Sequence, residues 1–280
     1  MALSAWPLAY ALFVWWFSTG VILVLNGLPP RTFKFTLAAA TVVCGASLIG
    51  LAVSSAHSTV ASAYCAFTCA LLVWAWQEIA FLLGWVTGPR REACPAGLRG
   101  WPRAWVALQT LLYHEAALLV LAGAVLAVTW QQPNQTGWWT FAVLWAMRQS
   151  AKLNVFLGVR NLSESFLPPH LKYLGSYFAR KPMNPLLPVS VLVSAVGVGL
   201  MLQWLLASPR SAFDTVSVLL VASLLGLAAV EHLFMVLPLS LEGLWSSVLS
   251  ARRPGASPRD DIEPPRSSVE SLQERVTNRV

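Results

Sequence analysis

A chain of 280 residues in which 56% are hydrophobic and only 11% charged is too apolar for a soluble domain of ordinary composition. The formal charge of +7 is spread over short loops and a tail, with no compact basic face or reader motif, which argues against nucleic acid as a partner. Cys44, Cys65, Cys69 and Cys94 form neither a disulfide framework nor a zinc pattern and read as small buried hydrophobes.

This composition predicts an all-α fold, a polytopic integral membrane helical bundle with about seven transmembrane helices. Apolar runs of roughly 20 residues, the length that crosses about 30 Å of hydrocarbon, can be placed in chain order. They are Trp6 to Leu25, Phe35 to Val53, Val60 to Val86, Trp105 to Val128, Trp138 to Leu157, Leu186 to Leu206 and Val216 to Leu237. Breakers agree with these limits: Gly27, Pro29 and Pro30 after the first run, Gly88 and Pro89 after the third, Pro133 before the fifth and Pro238 after the seventh. The first run has no basic flank and no small-residue cleavage site, so it is expected to be retained and not removed as a signal peptide.

Arg31, Lys34, Arg90, Arg91, Arg99, Arg103, Arg160, Lys172, Arg180, Lys181 and the tail from Arg252 fall on one side of these spans, against Arg210 on the other. The positive-inside rule then predicts a cytoplasmic C-terminus and an N-terminus across the membrane. Residues 159–184 mix aromatic, aliphatic and basic side chains, which fits either a segment lying at the membrane interface or a solvated loop. Residues 1–250 read as the bundle, and residues 251–280, rich in Pro, Ser and charge, as a disordered tail.

Ionisable groups sit inside four of the runs: Glu78, the pair His114 and Glu115, the pair Arg148 and Lys152, and the pair Glu231 and His232. At about 1.5 Å per residue these lie roughly 8 to 14 Å from the predicted cytoplasmic ends, in one slab. A central charge costs about 2.5 to 3.5 kcal/mol, so five unpaired ones would cost more than roughly 10 kcal/mol. Arg148 and Lys152, one helical turn apart, are therefore the natural partners of Glu78, Glu115 and Glu231. Three acids face two bases, and the third acid needs a protonated His, its own proton or a metal.

The cluster admits three readings. It is an internal salt-bridge network; or His114 and His232 are axial ligands of a tetrapyrrole metal; or Glu78, Glu115, Glu231, His114 and His232 are a metal ligand set of di-iron type. The last suffers from spacing, since adjacent Glu and His point about 100° apart on a helix. No nucleophile triad, phosphate loop or dinucleotide fingerprint is present.

The run Arg148-Gln149-Ser150-Ala151-Lys152-Leu153-Asn154, with Phe156-Leu157-Gly158-Val159, Phe166-Leu167-Pro168-Pro169-His170-Leu171 and Met183-Asn184-Pro185, resembles the PuhE family of photosynthetic complex assembly proteins of purple phototrophic bacteria. Trp76-Gln77-Glu78-Ile79-Ala80-Phe81 and the two Glu/His pairs are similar to that family as well, over about Ala5 to Ser250. The resemblance implies a bacterial inner (cytoplasmic or intracytoplasmic) membrane protein, for which the orientation from the positive-inside rule makes the N-terminus periplasmic. It also implies a role in assembly of the photosynthetic apparatus and in bacteriochlorophyll supply, and with no reaction motif in the sequence a non-catalytic factor is the leading expectation. The partners so implied are membrane lipid and photosynthetic complex subunits or pigment-biosynthesis enzymes. It settles no catalytic mechanism, so a membrane enzyme using the Glu/His site remains the rival.

Overall fold

A computed structural model describes residues 5–162, 164 and 167–237. The chain forms α1 (Trp6–Asn26), α2 (Phe33–Ser55), α3 (Val60–Leu82), α4 (Gly100–Gln109), α5 (Leu112–Thr129), α6 (Thr136–Leu157), α7 (Leu186–Leu206) and α8 (Ala212–Phe234). No strand occurs among the described residues, and the fold is an all-α membrane bundle, as the composition predicts. Six helices, α1, α2, α3, α5, α7 and α8, are long and apolar enough to cross a membrane. The expected span at Trp138 to Leu157 is α6, which has the length, 22 residues, but is too polar to stand with those six.

Polarity puts α6 inside. It packs against α3, α5 and α8, and more lightly against α2 and α7. Only Trp139, Ala146, Leu153 and Leu157 are exposed along it, and the first three are seven residues apart, one narrow stripe. α3 is its main partner and presents Ala63, Ala66 and Ala70, all fully buried; side chains this small let neighbouring backbones approach. The core around them joins Cys44 and Leu51 of α2, Val73 and Trp74 of α3, Leu118, Leu121 and Val125 of α5, and Phe141 of α6.

The turns gather at two ends. At one, Asn134 donates to the carbonyls of Ser54 (3.0 Å) and Ser62 (3.1 Å), tying the α5–α6 turn to the α2–α3 turn. At the other, residues 83–111 and 158–185 form a cap: His170 Nε2 donates to Leu82 O (2.9 Å), and Leu171 and Leu174 are buried against Phe81. Segment 159–184 is thus not a plain solvated loop, because Leu171 and Leu174 close the end of α3. The tail and Phe166 lie outside the described residues.

Two expected boundaries move. α3 stops at Leu82 and not at Val86, since the amides of Trp85 and Val86 turn back to Ala80 O (3.0 and 3.1 Å). The run from Trp105 to Val128 is broken into α4 and α5. Thr87 O reaches in and accepts the His114 amide (2.9 Å), a first-turn donor that a continuous helix would have used internally. Gly88 makes that approach possible, because a Cβ there would lie 2.1 Å from Gln109 O. α4 then carries an exposed stripe of Trp101, Trp105 and Leu108, while Arg103 donates inward to Tyr177 O (2.5 Å) and covers the Phe156 ring at 4.3 Å.

Candidate functional site

The charges of α6 meet their partners beneath this cap. Arg148 Nη2 donates to Glu78 Oε2 of α3 at 2.8 Å. Lys152 Nζ donates to Glu115 Oε1 of α5 at 2.5 Å, and Gln149 Nε2 to the other oxygen, Oε2, at 2.6 Å. Residues 148, 149 and 152 fall on one arc of α6, so a single helix supplies three donors to two neighbours.

Helix ends differ from those expected, and so do the depths. From the observed ends, Glu78 lies about 6 Å in and Arg148 about 14 Å, while His114 and Glu115 occupy the first turn of α5. Long Arg and Lys side chains span the difference, and the cap, not a bare helix end, lies above.

Among the described residues Glu231 has no ion-pair partner. Its Oε1 accepts from Trp15 Nε1 of α1 at 2.7 Å, although Arg148 is within electrostatic reach. Trp15 was not legible as a site residue: nothing distinguishes it among 14 tryptophans in the chain. Ser190 of α7 was missed too, its one signal being a small polar residue four before Ser194 in an otherwise apolar run.

His232, 2% exposed, is held at both ring nitrogens, Nδ1 by Ala228 O (2.8 Å) and Nε2 by Ser150 Oγ (2.9 Å). Ser150 continues to Ser190 Oγ (2.8 Å) and Ser190 to Leu186 O (2.9 Å), so α8, α6 and α7 share one chain of bonds. That chain has four contacts between two carbonyl ends. A neutral ring and two hydroxyls supply one proton each, and the Asn154 side-chain amide adds a donor, reaching Ser190 Oγ at 3.2 Å.

His114 is the contrast. It is 1% exposed, and neither ring nitrogen has a hydrogen-bond partner among the described residues. Its ring centroid is 4.6 Å from that of Phe81, and Lys152 and Arg148 are within electrostatic reach. Gln77, fully buried on α3, likewise has an unpartnered side-chain amide. A buried neutral imidazole with one free lone pair and one unused N–H is a capable ligand to a metal or partner for a polar group. The layer therefore holds Glu78 with Arg148 and Glu115 with Lys152, keeps Glu231 and His232 on other partners, and leaves His114 unengaged. Among the described residues no three His, Cys, Asp or Glu side chains come together as a metal-holding group.

Comparison with known proteins adds two findings. The family model described as "Protein of unknown function (DUF3623)" matches residues 1–256. A protein of Rhodobacter capsulatus, described as an uncharacterized 30.4 kDa protein in the puhA 5′ region, is 38% identical over 246 residues, covering 85% of this chain and 88% of that one. No solved structure matches the chain.

Proposed function

This chain belongs to the DUF3623 family, and we propose that it is a non-catalytic inner-membrane factor for assembly of the photosynthetic apparatus, reaction centre or light-harvesting, and for bacteriochlorophyll supply. The observation that carries the reading is that each carboxylate of the polar layer is answered by a donor from another helix. Such a layer fixes helices against one another and commits all three carboxylates to structural bonds. The place of the Rhodobacter capsulatus relative in the puhA 5′ region accords with the photosynthetic role implied by the sequence resemblance. In this reading the cation-rich end, with Arg90, Arg103, Arg160 and Arg180, faces the cytoplasm, the N-terminus is periplasmic, and the partners are complex subunits or pigment-biosynthesis enzymes.

The test is deletion and complementation in a phototrophic host, read as the near-infrared absorbance of reaction centres and antennae in isolated membranes. Loss on deletion and recovery with this chain is the expected result. Unchanged bands on deletion would refute it.

A second reading, a membrane enzyme or binding protein for a metal or tetrapyrrole, is favoured by His114 alone. His114 fits an axial ligand, since neither ring nitrogen has a partner among the described residues and the ring packs on Phe81. His232 fits poorly, because ligation would break its bond to Ser150. A visible spectrum and metal analysis of the purified protein separate the readings. A coloured or metal-bearing preparation that loses the ligand in His114→Phe would favour the second.

A further inference from the structure

The ends of α6 and α7 at the capped end are joined through a small basic cleft that the polar layer does not use. Residues 158–160 run beside 179–181, with the Val159 amide donating to Ala179 O (3.2 Å) and the Lys181 amide to Val159 O (3.3 Å). Asn184, buried, fixes this pair of segments to α6 by donating to Asn154 O (3.2 Å) and Gly158 O (2.9 Å). Gly158 takes φ +121°, and the stem of Lys181 lies 2.8 Å from where a Cβ would stand. Glycine is therefore needed both for the turn and for the seat of Lys181.

The cleft measures about 310 Å³ and is lined by Val159, Arg160, Arg180, Lys181 and Pro182. Arg180 is paired with Glu164 at 2.8 Å, whereas Arg160 and Lys181 have no acidic partner among the described residues. Two free cations thus share a preformed hollow with room for more than a bare phosphate. Leu153 and Leu157 of α6 and Val189 and Val193 of α7 are exposed on the helices that run away from it.

We propose that this cleft binds the headgroup of an anionic phospholipid, its phosphate between Arg160 and Lys181 and its acyl chains along the exposed faces of α6 and α7. Position favours a lipid over a soluble phosphate. Gly158 directly follows the last residue of α6, and Lys181 precedes the first residue of α7 by five, which sets both at headgroup level. A zwitterionic headgroup carries its own cation into the hollow, and an anionic one does not. Each basic side chain near the surface favours the anionic lipid about five-fold, so the two together favour it on the order of 25-fold.

The test uses the full chain in nanodiscs of phosphatidylcholine with graded phosphatidylglycerol, and native mass spectrometry of the lipid that stays bound. The unmodified protein should retain phosphatidylglycerol over phosphatidylcholine by on the order of 25-fold, and Arg160→Gln/Lys181→Gln should bring the two lipids to near parity. Gly158→Ala, which pushes the Lys181 stem from its seat, should lower the preference about five-fold. Circular dichroism of each variant checks that the bundle is intact, and Arg160→Gln and Lys181→Gln are also measured singly. A double variant that still retains phosphatidylglycerol over phosphatidylcholine as strongly as the unmodified protein overturns the proposal. So does displacement of the bound lipid by millimolar inorganic phosphate, which would make the cleft a soluble-anion site.

Discussion

Replacing Arg148 by Ala removes the one donor that Glu78 has within hydrogen-bond distance among the described residues, while leaving a carboxylate side chain only 12% exposed inside the bundle. Breaking a fully buried ion pair by deleting one partner costs about 3 to 5 kcal/mol. The Arg148 side chain is itself 39% exposed, so part of that attraction is already lost to its surroundings, and about 2 to 3 kcal/mol is the expected destabilisation. In a chain of this size that corresponds to a fall in melting temperature of roughly 5 to 10 °C. Lys152→Ala supplies the internal control. Glu115 has two donors, Lys152 and Gln149, so it keeps one bond when the lysine is removed. The loss should be about half as large, near 1 kcal/mol. Adding Glu78→Gln to Arg148→Ala removes the stranded charge and should recover about 1 to 2 kcal/mol. Thermal melts in one detergent, followed by thiol-reactive dye or tryptophan fluorescence, read all four proteins. Arg148→Ala melting with the unmodified chain, or Lys152→Ala proving the more damaging, would refute the reasoning.

Three further outcomes follow from single contacts. Trp15→Phe keeps the ring but withdraws the indole donor from Glu231, and should cost about 1 to 3 kcal/mol in the same melt; no change would mean that Glu231 is satisfied otherwise. Gly88→Ala sets a methyl 2.1 Å from Gln109 O, so the loop must leave the α4–α5 break. A loss of about 1 to 3 kcal/mol is expected, with faster proteolysis between residues 85 and 111, and a normal cleavage pattern would count against the break as drawn. His114→Phe replaces a buried ring that has no hydrogen bonds with an apolar one of similar shape, and should leave stability unchanged or raise it by about 1 kcal/mol. A variant so stabilised that fails in the complementation assay would mark His114 as a ligand-binding residue, whereas a lower melting temperature would show that its nitrogens have partners after all.

The sequence by itself determined the class and the cast. Apolar run length specifies how many helices can cross hydrocarbon, because each must satisfy its backbone internally, and the interior position of α6 follows from its own polarity. Arg148 and Lys152 were legible because a charge in such a setting demands a partner, and the candidate acids were few enough to name. What the sequence could not decide is which donor reaches which acceptor, since helical spacing gives the face of one helix but not its rotation against another. Only the packed bundle gives Glu78 to Arg148, gives both Lys152 and Gln149 to Glu115, and leaves Glu231 to a tryptophan more than 200 residues away in the chain. The break before α5 was hidden for the same reason. An apolar run reads as continuous until a distant carbonyl, here that of Thr87, takes one of its amides. Hydropathy reports what a segment excludes from water; the pairing of its polar atoms is settled where the helices meet.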